Sequence, residues 1–384
     1  MSFLDMERER EKLTQMLKKG RFTSNHIVSL EDRFVNKEII LYGAGESSHW
    51  FIEIVMIIHG FKPSLVLDKR FKKETTYEGI TAKHPDHFFP SDRQLENSIV
   101  VICSGNFEVS EEITSVLIGK GFQNILPLHD IYEIHNPLSI ALDDTEGYYL
   151  EHKDNILSVF DSLEDEASRH VFLAFLKTHI QKTPVQIPRR SREEQYFPSD
   201  IKLSKGYSSF VCCGAYDGET LRLLNQTVGK VDEVVCFEAD RVLFERLSAF
   251  LCDSGAEIAN KITALPCAIY SHESMVNFTE ATGLGSRIAE QGTLRVQTVA
   301  LDSILPLLSP SMIAMDIEGV ELEALQGAEN IIRTHKPDLA ICVYHAPNQI
   351  WDIPLYLSSL DLGYKFYLRN YTSFSLETVL YATV

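Results

Sequence analysis

The chain has 384 residues, enough for two domains and a connector, and its 45% apolar and 23% charged residues are ordinary for a globular protein that buries real cores. Lys and Arg total 36 against 54 Asp and Glu, a formal charge of −18. With no long basic run, nucleic acid and anionic membrane surfaces are excluded as main partners, because both need clustered Lys and Arg.

Residues 1–19 are charged, with helical spacing of Leu4, Met6, Leu13, Met16 and Leu17. They lack an apolar core and a small-residue cleavage site, so they do not read as a signal peptide. The longest apolar stretch, residues 50–58, is broken by Glu53 and is too short to span a bilayer. The 7 cysteines are odd in number and show neither Cys-x-x-Cys nor zinc spacing, which reads as reduced thiols in a cytoplasmic protein.

Short apolar runs at residues 39–42, 64–67, 98–103 and 124–126 alternate with helical stretches after Gly43 and over 109–120. That alternation predicts parallel β-α-β units. Residues 135–197 show no strand pattern. Helices are expected over 155–160 and 167–180, and Pro184, Pro188 and Pro198 break the rest. Strand–helix alternation resumes at 209–213, 233–237, 262–268, 312–315 and 339–344. It closes with two strands, 364–368 and 378–382, that have no helix between them and read as a hairpin. A parallel α/β sheet ending in an antiparallel hairpin is the pattern of the class I methyltransferase fold. The expected organisation is a Rossmann-like nucleotide-binding-type domain over 1–134, a helical connector over 135–197 and a methyltransferase-like domain over 198–384.

Four strand ends carry the chemistry. The first strand runs into Gly214-Ala215-Tyr216-Asp217-Gly218, a turn that lets backbone approach a ligand and whose following helix offers N–H groups. The second ends at Glu238-Ala239-Asp240, about 20 residues after Gly218, where an acid can accept both ribose hydroxyls of a nucleoside. The fourth ends at Asp316-Ile317-Glu318-Gly319. Two acids there suit a ligand ammonium, a substrate hydroxyl or a metal ion, although Glu318 alternatively caps the next helix. The fifth strand ends at His345, a general base by its near-neutral pKa or a turn residue bonding backbone.

Together these residues resemble the FkbM family of S-adenosylmethionine-dependent methyltransferases over about half the chain. The resemblance rests on residues 195–198, 211–218, 237–238, 283–288, 299–302, 315–322 and 364–384. It implies O-methylation of a hydroxyl on a sugar, polysaccharide precursor or natural product. It further implies that Gly214 and Glu238 contact the cofactor, with Asp316 close to the methyl group; Ala215, Tyr216, Asp217, Gly218, Ala239 and Ala268 are expected to line the same cofactor site. One departure stands out: the family usually has an acid where this chain has Cys212. Asp316 or His345 is the expected proton acceptor, supported by Glu318. A metal held by Asp316 and Glu318 is left open, and no His-rich ligand set argues for one. Ser286 and Arg287, in a glycine-flanked segment, read either as a substrate or cofactor lid with Arg287 reaching an anionic group or as an ordinary surface hairpin.

In the N-terminal region, Gly43-Ala44-Gly45 followed by Asp68 about 20 residues on supplies the parts of a dinucleotide fingerprint. The expectation is a degenerate domain that positions a small-molecule or saccharide substrate or mediates a homodimer, with ligand binding through Gly43, Gly45 and Asp68 as the alternative. No catalytic Lys/Tyr or His set accompanies the turn, which argues against an oxidoreductase. A non-catalytic nucleotide-sugar-binding or scaffold protein remains the alternative to a methyltransferase, motivated by Cys212.

Overall fold

Among the described residues, 17 strands fall into three sheets of six, four and seven. The structure is a computed structural model and describes residues 3–19, 33–56, 60–104, 107–128, 131, 145–181, 185, 187–279, 287–288, 294–305, 308–372 and 375–384.

Helix α1 (Phe3–Lys19) precedes the first sheet. Strands β1 (Glu38–Tyr42), β2 (Leu65–Leu67), β3 (Thr75–Tyr77), β4 (Ile80–Lys83), β5 (Ser98–Ile102) and β6 (Ile125–Pro127) form it in the order β3-β4-β2-β1-β5-β6. Every pair is parallel except β3–β4. After β1 the chain enters α2 (Glu46–Trp50), which passes into a π-helical turn over Phe51–Met56. Helices α3 (Asp92–Asn97) and α4 (Phe107–Gly119) flank β5. Ser91 and Gln94 form a reciprocal capping box that starts α3.

Helices α5 (Thr145–Glu151), α6 (Lys153–Ser162) and α7 (Glu166–Gln181) follow. Their apolar faces do not pack among themselves alone. Phe160, Phe172, Phe175 and Leu176 share one buried cluster with Leu13 and Leu17 of α1 and with Trp351 and Leu368 farther on. A buried cation fastens this layer. Arg369 is 2% exposed, and its Nη2 reaches Asp165 at 2.6 Å and Asp200 at 2.8 Å while Nη1 donates to Ser168 Oγ at 3.0 Å.

The seven-stranded sheet comprises β7 (Ser209–Cys213), β8 (Val231–Phe237), β9 (Ala259–Leu265), β14 (Met312–Met315), β15 (Asp338–Cys342), β16 (Lys365–Asn370) and β17 (Thr378–Thr383), ordered β16-β17-β15-β14-β7-β8-β9. Side chains alternate across it as the pleat demands. Val211, Cys213, Ile313 and Met315 enter the cluster on the α1/α6/α7 side, and Phe210, Cys212, Met312 and Ala314 enter the cluster on the other face. Helices α8 (Glu219–Thr227) and α9 (Arg241–Ile258) follow β7 and β8. The closing hairpin places β17 between β15 and β16, antiparallel to both, and buries all six of its residues.

A sequence-predicted single strand over 262–268 is divided. Strand β9 ends at Leu265, before Pro266, and Ala268 begins β10 (Ala268–Ile269) of the four-stranded sheet. That sheet adds β11 (Ser274–Thr279), β12 (Arg287–Ile288) and β13 (Leu294–Val299) in the order β10-β13-β11-β12. Proline removes the ladder donor at the break, so the main sheet cannot continue through it.

Candidate functional site

The order of the larger sheet reverses at β7, which has β14 on one side and β8 on the other. A crevice at the carboxyl ends of strands opens at such a switch point. The Gly214 turn, Glu238 and Asp316 all follow the three strands that meet there.

Gly214 has φ +83°, and a Cβ on it would lie 1.9 Å from the Asp316 carbonyl oxygen. Only glycine fits where the turn crosses the end of β14. Gly214→Ala is expected to cost at least about 2 kcal/mol, combining the left-handed penalty of any L residue with the backbone clash. A fall of about 4–8 °C in the thermal midpoint would report this, and an unchanged midpoint would contradict it.

The turn uses its own N–H groups. Gly214 and Ala215 donate to the Phe237 carbonyl at 3.0 and 2.9 Å, and Gly218 donates to Ala215 O at 2.9 Å. Tyr216 N–H, at a residue with φ +51°, donates to Glu238 Oε2 at 2.8 Å. These bonds tie the turn to the ends of β7 and β8, and the N–H groups expected to face a ligand are those of the helix that follows. Asp217 is also engaged, pairing with Arg222 at 2.9 Å, and that guanidinium stacks over Phe250 at 4.2 Å.

Glu238 is 8% exposed, with Oε1 accepting the Asp240 N–H at 2.8 Å. Burial pushes its carboxyl up to about 7 despite these bonds. Its two oxygens offer about four lone-pair sites, so capacity remains beyond these bonds for a ligand hydroxyl. Ala239 lies between Glu238 and Asp240, whose carboxylate caps α9 at Val242 and Leu243. Ala268 sits in the smaller sheet, paired with Thr298. Cys212 is 2% exposed beside Cys236 in the adjoining strand register, and burial drives its thiol far up. It offers no anion in place of the absent acid.

Helices α10 (Glu321–Gln326) and α11 (Gln349–Ser359) complete the other half of the site. Asp316 Oδ2 accepts from Tyr196 Oη at 2.9 Å and Oδ1 from Tyr344 Oη at 3.4 Å. His345 is 4% exposed. Its Nδ1 lies 2.8 Å from Glu321 Oε1, and its Nε2 lies 3.2 Å from Asp316 Oδ1 and 3.6 Å from Glu318 Oε2. Burial alone would lower the imidazole pKa, but Glu321 and Glu318, with Asp316, outweigh it and hold the pKa well above the usual value. Burial would likewise raise Asp316, yet its contacts with His345, Tyr196 and Cys342 keep its carboxyl below the usual range.

The cap considered for Glu318 is not made, since no side chain caps the Glu321–Gln326 helix, and Glu321 at its first position instead holds the loop before it. This fully buried acid accepts the N–H groups of Ile317 and Gly319 at 3.1 and 3.3 Å and takes the Gln349 amide on its other oxygen. Nor is His345 a backbone-bonding turn residue, since both ring nitrogens face carboxylates. Four partners carried no expected role: Tyr196, Glu321, Tyr344 and Glu377. Glu377 binds the Gln195 amide, and burial with the nearby Asp316 raises its carboxyl to about 7. Tyr196 and Gln195 had a signal, belonging to the 195–198 motif of the resemblance.

The lid expectation falls largely outside the described residues. Ser286 and its glycines lie there, and Arg287 is described only as backbone paired with Thr279.

The smaller Rossmann-like turn repeats the geometry of the larger one. Gly43 has φ +112°, and a Cβ there would lie 2.7 Å from Cys103 O. Asp68 accepts Ala44 N–H at 2.7 Å and Arg70 N–H at 2.8 Å, as Glu238 accepts Tyr216 and Asp240. Gly45 O receives the hydroxyls of Ser48 and Tyr77 at 2.7 and 3.1 Å.

Residues 213–366 match the family model described as the methyltransferase FkbM domain. Among solved structures, the methyltransferase FkbM from Methylobacillus flagellatus KT is similar over 98% of both chains, with 22% identity and a TM-score of 0.66, which establishes a shared fold across both Rossmann-like parts. Fibrillarin from Aeropyrum pernix, solved with natively bound S-adenosyl-L-methionine, matches 48% of this chain and 70% of its own at 11% identity and a TM-score of 0.31, too distant to carry an argument. Among curated proteins no sequence matches.

Proposed function

Because residues 213–366 carry an FkbM methyltransferase domain, we propose that the chain is an S-adenosylmethionine-dependent O-methyltransferase acting on a hydroxyl of a sugar, polysaccharide precursor or natural product. The observation that carries this reading is the placement of Asp316 at the switch point, one strand from the Gly214 turn and two from Glu238. Bound S-adenosylmethionine would supply a methyl group already activated by its sulfonium.

The chain's own groups then have distinct tasks. Glu238 accepts the ribose hydroxyls. The Gly214 turn sets how closely the ligand approaches the backbone. Asp316 orients the acceptor hydroxyl and takes its proton as charge builds on the oxygen, so a weak base suffices. Holding the two reactants in line is worth about 7–11 kcal/mol in well-oriented systems. His345 is a positioning group, because Nδ1 is committed to Glu321 and the surrounding acids favour a cation there.

Titration calorimetry with S-adenosylhomocysteine and with NAD tests this reading. Binding of the first alone supports it, binding of NAD alone transfers it to an oxidoreductase, and binding of neither returns the chain to a scaffold role.

Glu238 gives the titration a pH signature. Its carboxyl is raised to about 7 by burial, with Asp240 adding like charge. The ribose hydroxyls need the ionised form, so affinity for S-adenosylhomocysteine is expected to fall as pH drops below 7, approaching about tenfold per unit. Glu238→Gln should bind at least about tenfold more weakly, with a flat pH profile. A pH-independent wild-type affinity would count against the assignment.

A further inference from the structure

We infer that His345 Nε2, Asp316 Oδ1 and Glu318 Oε2 form a binding site for a divalent transition-metal ion, oriented from behind by Glu321.

The case begins with the other ring nitrogen. Glu321 is fully buried and immobilised by the Ile317, Gly319 and Gln349 donors. Its Oε1 lies 2.8 Å from His345 Nδ1. Glu321 already accepts three N–H groups, so Nδ1 is the ring nitrogen that donates to it, and Nε2 is the nitrogen left to bind a metal ion in exchange for the proton it carries. A buried carboxylate behind a histidine that faces two oxygen donors is the arrangement by which proteins fix a metal-ligating imidazole.

Nε2 itself is buried and makes no hydrogen bond. It lies 3.2 Å from Asp316 Oδ1 and 3.6 Å from Glu318 Oε2. A proton there would be a buried donor without an aligned acceptor, costing about 1–3 kcal/mol. A bare lone pair there would face two negative oxygens. A cation between the three atoms removes both problems. Metal bonds of about 2.0–2.2 Å at tetrahedral or octahedral angles hold neighbouring donors roughly 3.0–3.5 Å apart, close to the two distances measured from Nε2. Glu321, behind the ring, lies with Asp316 and His345 in one group whose donor atoms are within 4.8 Å of one another.

The donor set selects the ion. One imidazole nitrogen with two carboxylates suits Zn2+ or Mn2+ better than Ca2+ or Mg2+, which favour all-oxygen shells. With three protein ligands, coordination positions remain for water or an acceptor oxygen. The site includes Asp316, the carboxylate that the proposed function assigns to the acceptor hydroxyl, yet ion binding does not depend on that reading.

Calorimetry of the chelator-stripped full chain with MnCl2 and with ZnCl2 tests the inference, joined by pulsed EPR of the Mn2+ sample for nitrogen coupling. One ion per chain with an imidazole nitrogen in its shell is expected. His345→Gln and Glu318→Gln should each weaken binding at least about tenfold, and Glu321→Gln by about 10–100-fold through the orienting bond. Thermal melts show which variants remain folded, and Glu318→Gln, on the most exposed ligand, decides the matter if His345→Gln unfolds. Absence of stoichiometric uptake by the wild type, or uptake undiminished in folded Glu318→Gln, overturns the site. S-adenosylhomocysteine titrated into the same samples separates the two readings: its failure to bind beside intact metal uptake removes the methyltransferase proposal alone.

Discussion

Asp316→Asn is expected to lower methyl transfer by about a hundred- to ten-thousand-fold, the range for loss of a positioned proton acceptor. The amide occupies the same volume but cannot take a proton, and its NH2 would point a donor where the carboxylate accepts. Tyr196 Oη at 2.9 Å and Tyr344 Oη at 3.4 Å would each face an altered partner. Affinity for S-adenosylhomocysteine should change far less than turnover, because Glu238 and the Gly214 turn are untouched. Tritiated-methyl transfer to a panel of sugar nucleotides and glycosides, with binding measured in parallel, reads the two effects separately. Turnover within tenfold of wild type would remove Asp316 from the chemistry.

Asp338→Ala is expected to have the largest effect on stability, about 3–5 kcal/mol. This fully buried acid opens β15, at the end of the sheet remote from Asp316. It accepts backbone N–H groups from Ser204, Lys205 and Gly206 at 3.1, 2.7 and 3.0 Å and hydroxyls from Ser204 and Thr383 at 3.0 and 2.6 Å. Removing it strands several donors in a dry interior at once. The thermal midpoint should fall by about 10 °C or more, and S-adenosylhomocysteine affinity of the remaining folded protein should be unchanged. A shift of only a degree or two would show that water satisfies those donors.

The strands were legible because parallel strands buried on both faces read as unbroken apolar runs, as at Met312–Met315 and Ser209–Cys213. Glu238 and Asp316 were legible for a related reason: an acid directly after such a run marks a strand's carboxyl end. The division at Pro266 was missed because the apolar character of 262–268 outweighed one proline. Glu321 was hidden by helical context, where an acid near an N-terminus already has an ordinary electrostatic explanation. Glu377 and Tyr196 could not be seen from spacing at all. Their neighbourhood with Asp316 arises only when the hairpin and the 195–198 segment fold over the sheet end.

That distance along the chain bears on when the site comes into being. Tyr196 reaches Asp316 across 120 positions and Tyr381 across 185, while Gln195 reaches Glu377 across 182. Contacts so far apart in sequence form slowly, since loop entropy is lost before they repay it. The β7–β8 and β8–β9 ladders join near neighbours and need none of these closures. The Gly214 turn therefore rests on ladders between chain neighbours, whereas the Asp316 cluster exists only where these long closures are made.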